Sequence, residues 1–199
     1  MEQVKKFELK RQIFHLFLGI AIVMLLRYSL INTKIILFIL IIGLVISYLS
    51  RKMRIPFFND MLEIFERKEE ITRFPGKGII FYFIGVYITL LLFPKDIASA
   101  SIMILALGDS VSHVFGLHFG KIKHILSEKK FLEGTIAGFI AGFFGAVLFV
   151  KPTEAFFASL IAMTVEAIEI KAGAQQVDDN LVVPIVSGGV VWVLRFLIH

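Results

Sequence analysis

Long apolar runs separated by short polar stretches constrain this chain more than any motif within it. About seven runs stand out, at residues 12–29, 34–50, 78–93, 97–119, 132–150, 154–171 and 181–198. Each is close to the roughly 17–25 apolar residues that a membrane-spanning helix requires. A soluble domain is about 45–50% apolar; this chain reaches 57%, with a mean hydropathy of +0.84. The excess lies in the runs, so a larger aqueous core does not account for it. The expected fold is all-α: a polytopic transmembrane helix bundle of about seven spans, forming one integral membrane domain over residues 1–199. No polar segment is long enough to fold as a second domain. The first run lacks a small-residue cleavage site and reads as an uncleaved span. The chain has no cysteine, which excludes disulfides, thiolate nucleophiles and cysteine-based zinc sites.

The net charge of +5 has a direction. With alternating spans, 16 of the 21 lysines and arginines fall on the side of the N-terminus, leaving Arg27, Lys34, Lys95, Lys151 and Arg195 opposite. The positive-inside rule then predicts a cytoplasmic N-terminus and an odd number of spans. The basic balance is read as cytoplasmic loops in contact with the bilayer, and no nucleic-acid partner is expected. Between the second and third runs, Pro56 to Thr72 is amphipathic. Phe57, Met61 and Phe65 recur every four residues, opposite Asp60, Glu63, Glu66, Arg67 and Lys68. Such a segment is expected to lie in the membrane interface. Gly134, Gly138, Gly142 and Ala146 form a small-residue stripe suited to close helix packing.

Charges inside apolar runs cost roughly 2.5–3.5 kcal/mol each at mid-span, so they need partners or a purpose. Four clusters qualify. Glu8, Arg11, Gln12 and His15 share one helix face. Arg73, Lys77 and the glycines of Arg73-Phe-Pro-Gly-Lys-Gly78 precede the third run, where free N–H groups and two cations suit an anion. Asp109 lies about 12 residues into the fourth run, about 18 Å deep, with Ser112, His113, Gly116 and Gly120 on its face. Lys121, Lys130, Glu133, Gly134 and Thr135 follow it. Glu166 ends a face of small residues in the sixth run, and Asp178, Asp179 and Asn180 come before Pro184. The proline is expected to hold Asp179 to Val183 out of helical geometry, while Glu169 is placed at the interface. A buried carboxylate beside hydroxyls can hold Mg²⁺, and lysines can neutralise phosphates. All four clusters open to the cytoplasmic side, whereas the outer halves of the runs read as nearly purely apolar. That argues against a channel or ion pump and for a site taking a water-soluble anion and a metal.

Several of these pieces, in this order, resemble the polyprenol kinase family, which includes dolichol kinase, phytol kinase and the CTP-dependent diacylglycerol kinase. They are Glu8-Leu-Lys-Arg-Gln-Ile-Phe-His15, Gly108-Asp-Ser with Gly116 and Gly120, Lys130-Phe-Leu-Glu-Gly-Thr135, and Asp179-Asn-Leu-Val-Val-Pro184 preceded by Glu166. The resemblance covers most of the chain. Gln12 departs from it, since many relatives carry lysine there, and the chain is short beside eukaryotic dolichol kinases. The resemblance implies a lipid kinase that moves the γ-phosphate of CTP to the hydroxyl of a membrane lipid alcohol, an isoprenoid such as a polyprenol or dolichol, or another lipid. It carries Asp109, Lys130, Glu133 and Gly134 over to the nucleotide site. Asp109 and Asp179 or Asn180 are the candidates for Mg²⁺. Arg73, Lys77, Lys121, Lys130, Gly134, Thr135 and Asn180 are the candidates for the nucleotide. Asp109, Glu133, His15 and Glu166 are the candidates for catalysis, with Glu133 or His15 accepting the alcohol proton. Two other functions compete. A CTP-dependent cytidylyltransferase acting on a lipid phosphate would release pyrophosphate instead of CDP. A small anion transporter would be expected to show internal repeats, and none is convincing here.

Overall fold

The computed structural model describes residues 2–127, 129–168, 170–172 and 175–198; Glu169 lies outside them. The first helix, α1 (Glu2–Arg27), begins well before the apolar run. Its polar start is held by the Glu2–Lys6 and Glu8–Arg11 ion pairs at i,i+4 and i,i+3. Its buried face runs Glu8, Gln12, His15, Gly19, Ile22, Val23 and Leu26, a single helical stripe that changes from polar to apolar along its length. Asn32 caps α2 (Thr33–Ser50), its Oδ1 accepting the N–H groups of Lys34 and Ile35. Two short helices follow, α3 (Phe58–Phe65) and α4 (Lys68–Arg73), and then α5 (Lys77–Leu92).

The centre of the bundle is one long rod. It starts as α6 (Lys95–Met103), widens into a π-helical segment (Ile104–Asp109) and continues as α7 (Ser110–Phe119). Every residue from Ile97 to Ala106 is buried. Around the rod stand α8 (Leu132–Ala146), α9 (Pro152–Glu166) and α10 (Asp179–Ile198). Between α9 and α10, β1 (Lys171–Ala172) pairs antiparallel with β2 (Gln175–Gln176). The expected glycine stripe packs α8 on the rod: β-carbons at Gly134 and Gly138 would overlap the carbonyls of Ser112 and Gly108.

Among the described residues, four helices are long and apolar enough to cross a membrane: Glu2–Arg27, Thr33–Ser50, the continuous rod Lys95–Phe119, and Asp179–Leu197. Lys77–Leu92 and Leu132–Ala146 are apolar but shorter. Large apolar side chains such as Phe38, Phe144, Leu148 and Phe196 remain exposed around the outside, as they do where lipid is the solvent. The chain is an integral membrane protein.

Three local expectations change. First, α9 stops at Glu166 instead of 171, where the ammonium of Lys130 takes the carbonyl of Glu166 (2.5 Å). A cation satisfies the last carbonyls of a helix and its negative end. Second, Pro184 does not exclude Asp179 to Val183 from helical geometry; it lies inside α10. The missing proline N–H would have reached the carbonyl of Asn180. Gly85 of α5 lies against that carbonyl, so closely that a β-carbon there would overlap it. Ser187 Oγ also donates to the carbonyls of Val183 and Pro184. Such neighbours let a proline persist in a helix within lipid. Third, the end of the bundle away from the N-terminus is not purely apolar. Arg195 bonds Glu154 (3.0 Å) and Asp96 (2.7 Å), which ties α10 to α9 and α6, and Glu154 is only 3% exposed.

Candidate active site

At the N-terminal end of α1 a cavity of about 240 Å³ opens among five segments. From α1 come Arg11, Gln12 and His15. The α3–α4 region and the start of α5 supply Arg67, Glu70, Lys77 and Gly78. The rod contributes Asp109 and His113, and Lys130 comes from the loop before α8. Val177, Asp178, Asp179 and Asn180 close the far side at the start of α10. Acidic and basic groups far apart in sequence therefore meet at one end of the bundle.

The π-helical segment explains how Asp109 gets there. It ends at Asp109 and shifts the register of α7 relative to α6. Asp109 and His113 face the cavity, whereas Gly108, Ser112 and Gly116 face α8. One predicted face is thus divided between the site and packing. Local π geometry often marks functional positions.

Three carboxylates meet beside the cavity. Oxygens of Asp109, Glu166 and Asp179 lie within 4.8 Å of one another. Lys130 Nζ bonds Glu166 Oε1 (2.6 Å) and Asp179 Oδ2 (3.0 Å). Burial pulls the Lys130 pKa down, but the charges of Glu166 and Asp179 outweigh it and hold the ammonium well above the usual lysine value. With all three carboxylates ionised, as metal ligation requires, the single ammonium would leave two negative charges without a contacting partner. The second oxygen of Glu166, Oε2, is buried and has no hydrogen-bond partner among the described residues. An all-oxygen donor set, a deficit of two charges and an orphaned buried oxygen together fit a hard divalent cation such as Mg²⁺.

The basic wall is organised from α1. Glu8, buried in the bundle, accepts bonds from Arg11 Nε (3.0 Å) and from Arg67 Nε and a terminal nitrogen (3.0 and 2.8 Å), with His113 Nε2 at 3.4 Å. One carboxylate so orients two guanidinium groups at the cavity wall. Lys77 adds a third cation, 3.4 Å from Glu70. Asp178 takes the capping role at α10, accepting from the backbone and side-chain nitrogens of Asn180 (3.1 and 2.8 Å).

Of the residues expected at the site, His15, Lys77, Asp109, Lys130, Asp179 and Asn180 line the cavity, and Glu166 lies behind Lys130. Arg73, Lys121, Glu133, Gly134 and Thr135 do not line it. Arg73 ends α4, its carbonyl taken by Arg51. Glu133 accepts the N–H groups of Lys121 and Ile122 and closes the loop before α8. Gly134 packs on α7, and Thr135 bonds back to the carbonyl of Phe131. Arg11, Arg67, Glu70 and His113 take places on the wall that the sequence did not single out as ligands. Arg11 was legible on the His15 face; Arg67 carries no local signal, since its partner Glu8 is 59 residues away.

The α5 start also differs from expectation. Its amides are not open to an external anion, because Glu66 already occupies them. Gly76 N donates to Glu66 Oε2 (2.6 Å) and Gly78 N to Oε1 (3.3 Å). Gly76 sits at φ +80°, a conformation that favours glycine. Burial pushes the Glu66 carboxyl above its usual range, and the Gly76 and Gly78 amides offset this only in part. Glu66→Ala is expected to cost about 1–3 kcal/mol of stability by orphaning these amides. Glu66→Gln, which keeps an acceptor oxygen, should cost less. Thermal melting of the three proteins in one detergent checks the order.

The relatives of this chain include lipid kinases. CTP-dependent diacylglycerol kinase 1 of Schizosaccharomyces pombe is 28% identical over 134 residues, covering 59% of this chain and 60% of that protein. CTP-dependent diacylglycerol kinase 1 of Saccharomyces cerevisiae is 28% identical over 145 residues, covering 70% and 49%. The chain thus spans about half to three fifths of the length of these kinases. It belongs to the family of the uncharacterized protein MJ1137 of Methanocaldococcus jannaschii, to which it is 31% identical over 184 residues, 90% of each chain. No family model matches the chain, and no solved structure does.

Proposed function

We propose that this protein is a CTP-dependent lipid kinase, transferring the γ-phosphoryl group of CTP to the hydroxyl of a membrane lipid alcohol. The observation that carries the reading is the meeting of three carboxylates, two of them lining the cavity, with three wall cations, Arg11, Arg67 and Lys77. The names of the yeast relatives support the donor and the reaction class. Phosphoryl transfer depends chiefly on positioning and charge neutralisation, and this wall offers both. Asp109, Asp179 and Glu166 would hold Mg²⁺, which when bound neutralises about half of the charge of the triphosphate. Arg11, Arg67 and Lys77 take the remainder. His15 replaces Glu133 as the preferred proton acceptor because His15 lines the cavity and Glu133 does not. The new bond joins the alcohol oxygen to the γ-phosphorus, the bond from that phosphorus to the bridging oxygen breaks, CDP leaves, and the hydroxyl proton passes to His15. The acceptor is an isoprenoid alcohol or a diacylglycerol. The excess of lysine and arginine at this end of the bundle supports a cytoplasmic position for it and for the N-terminus, where α3 would rest in the membrane interface.

One assay tests the reading: purified protein, Mg²⁺, γ-labelled CTP or ATP, and a panel holding a polyprenol, a shorter isoprenoid alcohol and a diacylglycerol. The expected result is label in a lipid monophosphate, with CTP preferred over ATP. Pyrophosphate release from CTP with a lipid phosphate would establish the cytidylyltransferase instead.

A further inference from the structure

A second, smaller chamber adjoins the cavity. It lies between α1, α3 and α5 and is lined by Phe14, Met61, Leu62, Phe65 and Ile79, with Glu66, its carboxylate held by the Gly76 and Gly78 amides, at the end of α3. Four residues, Arg11, His15, Glu70 and Gly78, line both spaces. The polar cavity therefore adjoins a more apolar one, with His15 on the wall they share. At about 20 Å³ the chamber has room for little more than a water molecule. The Phe14 and Phe65 rings close it, stacked 4.8 Å apart. On the outer side of α3, Phe57 and Ile64 are exposed, so the helix that covers the chamber carries apolar residues on both sides.

We propose that this chamber is where the acceptor lipid enters. Its hydroxyl reaches His15, and the chain carbons beside that hydroxyl lie among Phe14, Met61 and Phe65. The inference rests on the kinase reading above and names the acceptor subsite for it. Chemistry selects the occupant: a space that is polar at one end and apolar at the other fits a molecule with a hydroxyl head and a hydrocarbon chain. Parting one ring stack opens the way, because the downstream end of α3 stays anchored by Glu66 on Gly76 and Gly78 and by Arg67 on Glu8. Met61 and Phe65 are then residues that select among acceptors by the shape next to the hydroxyl.

The test uses the full-length protein in lipid nanodiscs and a long-chain alcohol with a diazirine beside its hydroxyl carbon. After irradiation, labelled residues are mapped by mass spectrometry. The expected result is labelling at Phe14, Met61 and Phe65, competed away by unlabelled alcohol. Labelling in the apolar groove between α9 and α10 instead, at Phe157, Ile161 and Val190, would overturn the proposal. In the kinase assay, Met61→Trp should raise the KM for the acceptor by about tenfold while leaving the KM for CTP nearly unchanged; an unchanged acceptor KM counts against the proposal. The two readings fail separately. Labelling at the chamber by a protein that transfers no phosphate keeps the lipid subsite and removes the kinase, and active protein labelled elsewhere does the reverse.

Discussion

Asp109→Asn is expected to abolish phosphoryl transfer while leaving the protein folded and at least as stable as the wild type. The two halves of that result have separate causes. Asparagine has the shape of aspartate, so the packing at the end of the π-helical segment survives. What it removes is one negative charge from three carboxylates crowded within 4.8 Å. Lys130 alone contacts that group as a counter-charge among the described residues, so removing a like charge relieves repulsion and desolvation in the folded state. The same change weakens the hold on a divalent cation, because the charge deficit falls from two to one. Turnover should fall by roughly a thousandfold, about 4 kcal/mol of transition-state stabilisation. Melting temperature and turnover with γ-labelled CTP, measured on the same preparation, check both halves. A variant that turns over at near wild-type rate would sink the metal assignment; one that fails to fold would make Asp109 a structural residue. Retained stability with lost activity is the pattern of a site that carries strain for function.

The parts of this site that were legible in the sequence are those whose position costs free energy. Asp109 and Glu166 interrupt apolar runs, and a charge in such a place is conspicuous however the helices pack. His15 was legible by depth, one turn inside the charged face of α1. The small residues Ala155, Ser159 and Ala162 correctly placed Glu166 inward, since all three are fully buried. Features set by tertiary contact were not legible. Asp109, Ser112, His113 and Gly116 lie on one broad face of α7, and only the placing of α8 against part of it assigns Ser112 and Gly116 to packing. Arg73 and Arg67 look alike in the sequence; only the buried Glu8 selects Arg67 for the cavity wall. The glycines before α5 had the composition of an anion site, but the anion is supplied by Glu66 of the same chain, ten residues away. Pro184 misled for a related reason, because the group packed against the carbonyl that its missing N–H leaves free, Gly85, lies on another helix. Arg195 was placed only as a basic residue on the far side, and its pairing with Glu154 and Asp96 joins positions 41 and 99 residues apart.

Lys130→Ala is expected to differ from the aspartate variant by losing stability and activity together. The Lys130 ammonium touches the last carbonyl of α9, the carboxylate of Glu166 and the carboxylate of Asp179 at the first turn of α10. It thus joins the loop before α8 to the facing ends of two other helices. Removing it leaves Glu166, 2% exposed, without the cation it bonds, and breaking one side of a buried pair costs about 3–5 kcal/mol. Activity falls as well, since the two carboxylates lose the contact that sets their positions. A double variant separates the two losses. Adding Glu166→Gln to Lys130→Ala removes the orphaned charge, so the pair should recover much of the stability by melting, with a coupling of about 1–3 kcal/mol between the sites, yet stay inactive. If the double variant recovers activity too, Lys130 serves only to neutralise Glu166. If it recovers neither, Lys130 acts chiefly through the α9 carbonyl, as a clasp between helix ends. Recovery of stability alone places Lys130 and Glu166 in the same machinery as Asp109, where a charge that is costly to bury is kept for the anion it must meet.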